Sequence, residues 1–99
     1  MQLELRIYRI EEGRLDEFLD EWRALILPLR RRLGFSIVGP WINRDESRFV
    51  WLVGYDGNIE EANERYYASD ERAAMDPNPA RLIADTQTTF VQTIERNGE

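Results

Sequence analysis

The 99-residue sequence predicts an α+β fold whose elements follow the order β-α-β-β-α-β. Two observations predict this class. Segments with alternating apolar residues, typical of strands, are separated by two segments whose apolar residues recur at helical spacing. The two halves also have similar lengths, as in an antiparallel sheet with both helices on one face. Because 42% of the residues are hydrophobic and 32% are charged, we expect one folded domain over residues 1–99 rather than a disordered chain.

The first strand is predicted over residues 3–10, where apolar and polar side chains alternate. One face carries only apolar side chains, those of Leu3, Leu5 and Ile7. The opposite face is polar and carries Glu4, Arg6 and Tyr8.

The first helix is predicted over residues 15–33, where apolar side chains form one continuous stripe. Acidic residues near its start and three arginines, residues 30–32, near its end suit the helix dipole. We expect these arginines to form a solvated last turn, and the alternative is a contact with phosphate or lipid. Gly34 is predicted to cap the helix. Pro28 removes one backbone hydrogen bond, which predicts a kink or a break.

Two strands are predicted next. In Phe35–Ile42, Pro40 cannot donate a ladder hydrogen bond, so this strand is expected to be bulged or at a sheet edge. A polar connection leads to Arg48–Tyr55, which is apolar on both faces and should be covered on both sides. One of these faces carries Phe49, Trp51, Val53 and Tyr55, and the other carries Val50, Leu52 and Gly54.

A second helix is predicted from Ile59 to about Ala74, with Asn58 as its N-cap and Asp76-Pro77 beyond its end. Its inner side is expected to comprise Ile59, Ala62, Tyr66, Ala73 and part of the Tyr67 ring. The last strand is predicted over Thr86–Ile94, with one face formed by Thr86, Thr88, Phe90, Gln92 and Ile94. Residues 97–99 are predicted to be a frayed tail.

These elements predict a ferredoxin-like antiparallel sheet. Two helices on one face can cover only one of the two apolar faces of the third strand. The other face needs a partner, and a second copy of the same sheet is the simplest one. We therefore expect a homodimer through the sheet face, burying about 800 Å² per partner.

Composition excludes several classes of function. The sequence has no cysteine and no histidine, which argues against thiolate or imidazole catalysis and against the usual zinc sites. Its net charge of −6 argues against nucleic-acid binding. No metal site and no nucleotide or flavin fingerprint is present, so no cofactor is expected. No apolar run approaches membrane length and no leader is visible, so we expect a cytoplasmic protein without membrane contact.

A set of short motifs, mostly glycines, aromatic residues and a strand start, runs along the chain. The motifs are Glu4 to Tyr8, Gly13 to Phe18, Trp22, Leu27 to Leu29, Gly34, Val38 to Trp41, Trp51-Leu52 and Tyr55-Asp56. Over roughly residues 2 to 96 the chain resembles a NIPSNAP domain. The stretch Tyr66 to Asp70 is also similar to EthD-like proteins.

The NIPSNAP resemblance implies a dimeric α+β barrel. The same superfamily contains antibiotic-biosynthesis-type monooxygenases, EthD-like proteins and muconolactone isomerases. In small barrels of this kind, aromatic pockets host aromatic or polyketide-like substrates. The matching motifs are structural, so the resemblance implies a fold and does not supply a reaction.

Seven residues are candidates for ligand binding: Arg6, Tyr8, Trp41, Trp51, Tyr55, Tyr66 and Gln92. Arg6 forms either an ion pair with Glu4 or, with Tyr8, a clamp for an anion or a carbonyl group. The tryptophans and Tyr55 either fill the core and dimer contact or line a pocket for a flat organic ligand. Tyr66, its neighbour Tyr67 and Gln92 each either pack structurally or face the same cavity.

Two functions from different classes fit these residues. The first is a small-molecule-binding barrel acting as a cofactor-independent monooxygenase or isomerase on an aromatic or polyketide-like compound. The alternative is a non-catalytic binding or assembly protein whose aromatic faces are only core and dimer interface. No residue is assigned a catalytic role.

Overall fold

The computed structural model describes residues 1–94 and contains one four-stranded antiparallel sheet. Its strands are β1 (Gln2–Ile10), β2 (Ser36–Asn43), β3 (Arg48–Tyr55) and β4 (Ile83–Val91). The spatial order is β2-β3-β1-β4, so the two halves of the chain interleave at the centre of the sheet. This order, with the helical segments between the strands, confirms the ferredoxin-like α+β fold. The predicted tail over residues 97–99 lies outside the described residues.

The first helical region consists of α1 (Leu15–Glu21), a π-helical segment (Trp22–Ile26) and α2 (Leu27–Arg32). In the π-helical segment the backbone N–H of Leu27 donates to the carbonyl oxygen of Trp22, five residues earlier. A regular helix would bring the Pro28 ring against a carbonyl of the preceding turn. The wider turn before Pro28 relieves that contact, so the irregularity predicted at Pro28 is a π turn just ahead of it.

The single helix predicted from Ile59 to Ala74 is interrupted. Its two parts are α3 (Ile59–Ala68) and α4 (Asp70–Ala73), separated by Ser69 in an extended conformation. The Ser69 hydroxyl donates to the carbonyl oxygen of Tyr66 at 2.7 Å and accepts from the N–H of Arg72 at 3.1 Å. Because the break turns α4 away from the axis of α3, Ala73 is exposed, and its predicted place on the inner side was wrong.

Several local predictions hold. Asn58 caps α3 by accepting from the N–H of Glu61, and Gly34 ends α2 with a positive φ of 95°. β2 is an edge strand whose register shifts between Val38 and Trp41, as expected around Pro40. β4 starts earlier than predicted, at Ile83, because a short 3-10 helix (Pro79–Leu82) leads directly into pairing with β1.

The core lies between one sheet face and the helical segments. On the sheet side, Phe49 is fully buried and its ring centroid lies 5.0 Å from that of Phe18 and 5.2 Å from that of Trp22. Tyr8 stacks on the same ring at 5.9 Å. Edge-to-face and stacked aromatic pairs add to the free energy gained by burial, so this cluster anchors α1 to the sheet.

The other sheet face carries no helix among the described residues, and we call it the open sheet face. Strand alternation and register place these apolar residues on it: Leu3, Leu5, Ile7, Val38, Trp41, Val50, Leu52 and Val91. Val38 and Trp41 are 51% and 52% exposed. Within residues 1–94, the helices are all too short or too polar to cross a membrane.

Replacing Phe49 with alanine tests the aromatic core. We expect Phe49→Ala to lower the free energy of unfolding by about 3–5 kcal/mol, because it leaves a cavity among three packed rings. Urea denaturation followed by tryptophan fluorescence measures this loss. Arg23→Ala, an exposed position on the same helical region, should change stability by less than about 0.5 kcal/mol. Equal effects of the two variants would contradict the placement of Phe49.

Candidate functional site

A cavity of about 270 Å³ lies between the helix-covered face of the sheet and the helical segments. The strands contribute Arg6, Tyr8, Trp51, Ile83, Thr86 and Thr88 to its wall. The helical segments contribute Ile26, Arg30, Tyr66, Tyr67, Arg72 and Ala80. We call it the arginine cavity, because three guanidinium groups line it in a protein whose net charge is −6.

Arg6 forms a buried ion pair with Glu4 on the same strand face. Its Nε and Nη2 donate to Glu4 Oε1 at 3.1 and 2.9 Å. The Nδ2 of Asn63, on α3, donates to both oxygens of the same carboxylate at 3.2 Å. Burial disfavours the charge on Arg6, but the Tyr8 and Tyr67 hydroxyls outweigh burial and raise its pKa above the ordinary value. The ion-pair interpretation of Arg6 is confirmed, and Arg6 lines the cavity as well.

Arg30 is 1% exposed, so its prediction as part of a solvated turn was wrong. Its Nη1 donates to Asn63 Oδ1 at 2.6 Å, and its Cζ lies 3.8 Å from the ring centroid of Tyr66 and 4.6 Å from that of Phe35. Among residues 1–94, no carboxylate pairs with it. Burial, and then the charge of Arg6, lower the pKa of Arg30. Aromatic faces thus stabilise a buried cation that no anion of the described chain neutralises.

The π-helical segment explains the burial of Arg30. At 100° per residue, a regular helix would place Arg30 about 80° away from Trp22 around the axis, beside the apolar stripe. The wider turn advances fewer degrees per residue and rotates Arg30 towards the core. Arg31 and Arg32 then face solvent, as predicted.

Tyr67 joins the two arginines. Its hydroxyl oxygen accepts from Arg6 Nη1 at 3.1 Å and from Arg30 Nη2 at 3.3 Å, while 53% of the residue stays exposed. Burial of the hydroxyl raises its pKa, but the two guanidinium groups outweigh burial and lower the pKa of Tyr67 below its ordinary value. The neighbouring Tyr66 shows the opposite shift, because burial dominates and raises its pKa.

Three buried donors of the cavity wall have no acceptor among residues 1–94. They are the Nε atoms of Arg30 and Arg72 and the indole Nε1 of Trp51. Two other such atoms, Trp22 Nε1 and Ser47 Oγ, lie outside the cavity wall. An unpaired buried polar group costs about 1–3 kcal/mol, so nearly all are paired in folded proteins. These three N–H groups belong to wall residues but are themselves buried, so the described side chains leave their hydrogen-bonding capacity unused beside the cavity.

The structure brings together four of the seven predicted ligand-binding residues: Arg6, Tyr8, Trp51 and Tyr66. The other three lie elsewhere. Trp41 lies on the open sheet face, and Gln92 follows the end of β4. Tyr55 lies on the helix-covered face outside the cavity wall, where its hydroxyl accepts from Arg65 at 3.1 Å.

Sequence reasoning missed Arg72 and Asn63, placed Arg30 in a solvated turn, and left Tyr67 between a structural role and the cavity wall, where the structure places it. The one indication in the sequence that Arg30 could be buried was its position on the first helix, next to the apolar stripe. Arg72 reaches the cavity because Ser69, three residues before it, breaks the helix and caps α4. The spacing of residues in the sequence does not indicate this break. In the part of the chain that the structure describes, no cluster of His, Cys, Asp and Glu has the arrangement of a metal site.

The sheet order and the cavity beneath the helices define a ferredoxin-like α+β protein with an arginine-rich internal site. Solved structures with this fold include an uncharacterized NIPSNAP domain protein from Burkholderia xenovorans. Its sequence is 22% identical to this one, the alignment covers 95% of each of the two chains, and the TM-score is 0.82. A NIPSNAP family protein with unknown function from Agrobacterium tumefaciens is 15% identical and covers 99% of this chain and 92% of its own, with a TM-score of 0.82.

A third neighbour is a putative antibiotic biosynthesis monooxygenase from Nitrosomonas europaea. It is 12% identical and covers 98% of this chain and 93% of its own, with a TM-score of 0.71. No protein-family model and no curated protein matches the sequence. The resemblance to NIPSNAP domains is therefore confirmed for the fold.

The buried ion pair can be tested by removing one partner. We expect Arg6→Met to lower the free energy of unfolding by about 3–5 kcal/mol, because Glu4 is left buried without its cation. Urea denaturation measures the loss. The double variant Glu4→Gln/Arg6→Met removes both charges and should recover part of the stability. A single variant as stable as the unchanged protein would show that the pair is solvated.

Proposed function

We propose that this protein binds a small planar organic anion in the arginine cavity. One observation carries the proposal: Arg30 is buried with no carboxylate partner among residues 1–94, and its Nε faces no acceptor. A carboxylate or enolate in the cavity would neutralise this charge. The aromatic walls formed by Trp51 and Tyr66 suit a flat ligand.

The volume of about 270 Å³ favours a compact ligand, since typical ligand pockets range from about 300 to 1,000 Å³. A one-ring aromatic compound suits this space better than a multi-ring polyketide-like one. Of the two reaction classes, the isomerase has more support, because the groups in the wall can hold an anion and move a proton. The monooxygenase class is supported by the fold that the chain shares with antibiotic biosynthesis monooxygenases such as the Nitrosomonas europaea neighbour.

Benzoate, an aromatic carboxylate, tests this proposal by isothermal titration calorimetry. We expect Arg30→Met to weaken benzoate binding about 10- to 100-fold, because charged hydrogen bonds contribute about 1.5–3 kcal/mol. Arg31→Met, an exposed neighbour in the same helix, should bind like the unchanged protein. Circular dichroism checks that both variants fold. Failure of the unchanged protein to bind benzoate, or equal binding by Arg30→Met, would favour the non-catalytic assembly protein instead.

We also propose that the protein forms a homodimer through the open sheet face. Val38 and Trp41 are half exposed there, next to a continuous apolar surface on β1 and β3. Contiguous exposed apolar patches of this kind mark protein interfaces.

We propose in addition that the protein is cytoplasmic and binds neither nucleic acid nor membrane. The acidic composition and the absence of cysteine support this proposal.

Light scattering at micromolar concentration tests the dimer. We expect about twice the chain mass of 11.7 kDa, and a shift to the monomer for Trp41→Glu, because a carboxylate would be buried in the interface. Arg23→Glu, a new carboxylate on an exposed helical position, should leave the mass unchanged. A monomeric unchanged protein would exclude the face-to-face barrel.

A further inference from the structure

We infer that Tyr67 is the proton-transfer residue of the arginine cavity, and that its substrate is a carbonyl compound bearing an anionic group, of the 2-keto acid class. The inference rests on the proposed anion-binding function and adds a reaction and a residue to it. It starts from the two guanidinium N–H groups that meet on one phenol oxygen.

Six charged or titratable groups of residues 1–94 contact Tyr67 directly or through Arg6. β1 contributes Glu4, Arg6 and Tyr8, α2 contributes Arg30, α3 contributes Tyr66, and α4 contributes Arg72. Three of these groups are cations, and the one carboxylate among them already pairs with Arg6. Such surroundings favour the phenolate form of Tyr67. The guanidinium groups lower the pKa of Tyr67 below its ordinary value of about 10, which favours a phenolate that can act as a general base.

The other acid–base groups of the wall suit this role less well. Glu4 accepts two hydrogen bonds from Arg6 and two from Asn63, which hold it as a structural anion. Tyr8 accepts from Arg6 alone, at 3.3 Å, and its ring is packed in the core. Burial raises the pKa of Tyr66, which disfavours its phenolate. Among these groups, Tyr67 alone combines two cationic donors on its hydroxyl with a half-exposed position at the cavity wall.

The substrate class follows from the donors that surround Tyr67. The Trp51 ring centroid lies 5.9 Å from Arg6 Cζ and 5.8 Å from Arg30 Cζ, so its unpaired indole N–H belongs to the same cluster. Two further unpaired N–H groups belong to Arg30 and Arg72. The guanidinium groups of Arg6, Arg30 and Arg72 line the cavity beside these donors and suit two acceptors, a fixed carboxylate and a carbonyl oxygen that gains charge during reaction. A 2-keto acid carries both.

The proton transfer balances without an oxidant or a reductant. The Tyr67 phenolate oxygen forms an O–H bond with a proton from the carbon next to the keto group. The electron pair of the broken C–H bond forms a C=C bond, and the carbonyl π pair moves to oxygen, giving an enolate. Return of the proton to the same carbon restores the substrate. In a conjugated substrate, return to another carbon yields an isomer.

Phenylpyruvate in D₂O tests the inference, with deuterium entry at the benzylic carbon followed by proton NMR. We expect exchange well above the buffer rate, and a loss of about 100-fold or more for Tyr67→Phe, as is typical when a general base is removed. The rate should rise with pH and level off below pH 10, because the phenolate is the active form and its pKa is lowered. Tyr55→Phe, which removes a phenol outside the cavity wall, should keep the full rate.

Each result separates this inference from the proposed function. Suppose that benzoate and phenylpyruvate both bind. If the unchanged protein then exchanges deuterium only at the buffer rate, or if Tyr67→Phe exchanges as fast as the unchanged protein, Tyr67 is not the base and the anion-binding function stands. Binding of benzoate without phenylpyruvate overturns the keto acid class. If neither binds, the proposed function itself fails.

A second measurement on the unchanged protein covers the case in which Tyr67→Phe does not fold. With ¹³C-labelled tyrosine, we expect one of the four tyrosines to ionise below its ordinary pKa, and benzoate to shift that ionisation to higher pH. Ordinary or raised pKa values for all four would overturn the inference.

Discussion

The burial of two guanidinium groups against one carboxylate is the constraint around which this structure is arranged. Glu4 neutralises Arg6 across two hydrogen bonds, and Arg30 has aromatic rings and an amide oxygen instead of an anion. A buried charge without a counter-ion is costly, so each compensating group must be held in place. Asn63 accepts from Arg30 and donates to Glu4, which ties α3 to both β1 and α2.

Two local irregularities make this arrangement possible within a common fold. The π-helical segment before Pro28 rotates Arg30 inwards, and the extended Ser69 separates Tyr67 on α3 from Arg72 on α4. Both irregularities border the cavity, because the π-helical segment contributes Ile26 to its wall and the two sides of Ser69 contribute Tyr67 and Arg72. π turns often lie at functional sites in proteins, since they re-aim side chains at the expense of helix regularity.

The two faces of the sheet differ in chemistry because strand alternation separates their side chains. On β1, the face bearing Glu4, Arg6 and Tyr8 lies under the helices, and the apolar face lies open. This reverses the usual pattern, in which the apolar side of a strand faces the helices and the polar side faces solvent. The reversal places charge inside the domain and leaves apolar surface outside, which links the proposed ligand site and the proposed dimer to one strand.

The sequence by itself determined the strands, the cap at Asn58, the bulge near Pro40 and the ferredoxin-like order, because periodicity and turn residues act over a few neighbours. It also indicated Arg6, Tyr8, Trp51 and Tyr66, since strand parity and helical spacing place side chains on faces. Only the tertiary structure decided that Arg30, Tyr67 and Arg72 meet these residues, and that Trp41, Tyr55 and Gln92 do not. The helical phase of Arg30 depends on a π turn, and the position of Arg72 depends on a break at Ser69. Packing against the sheet sets both, and no local pattern encodes them.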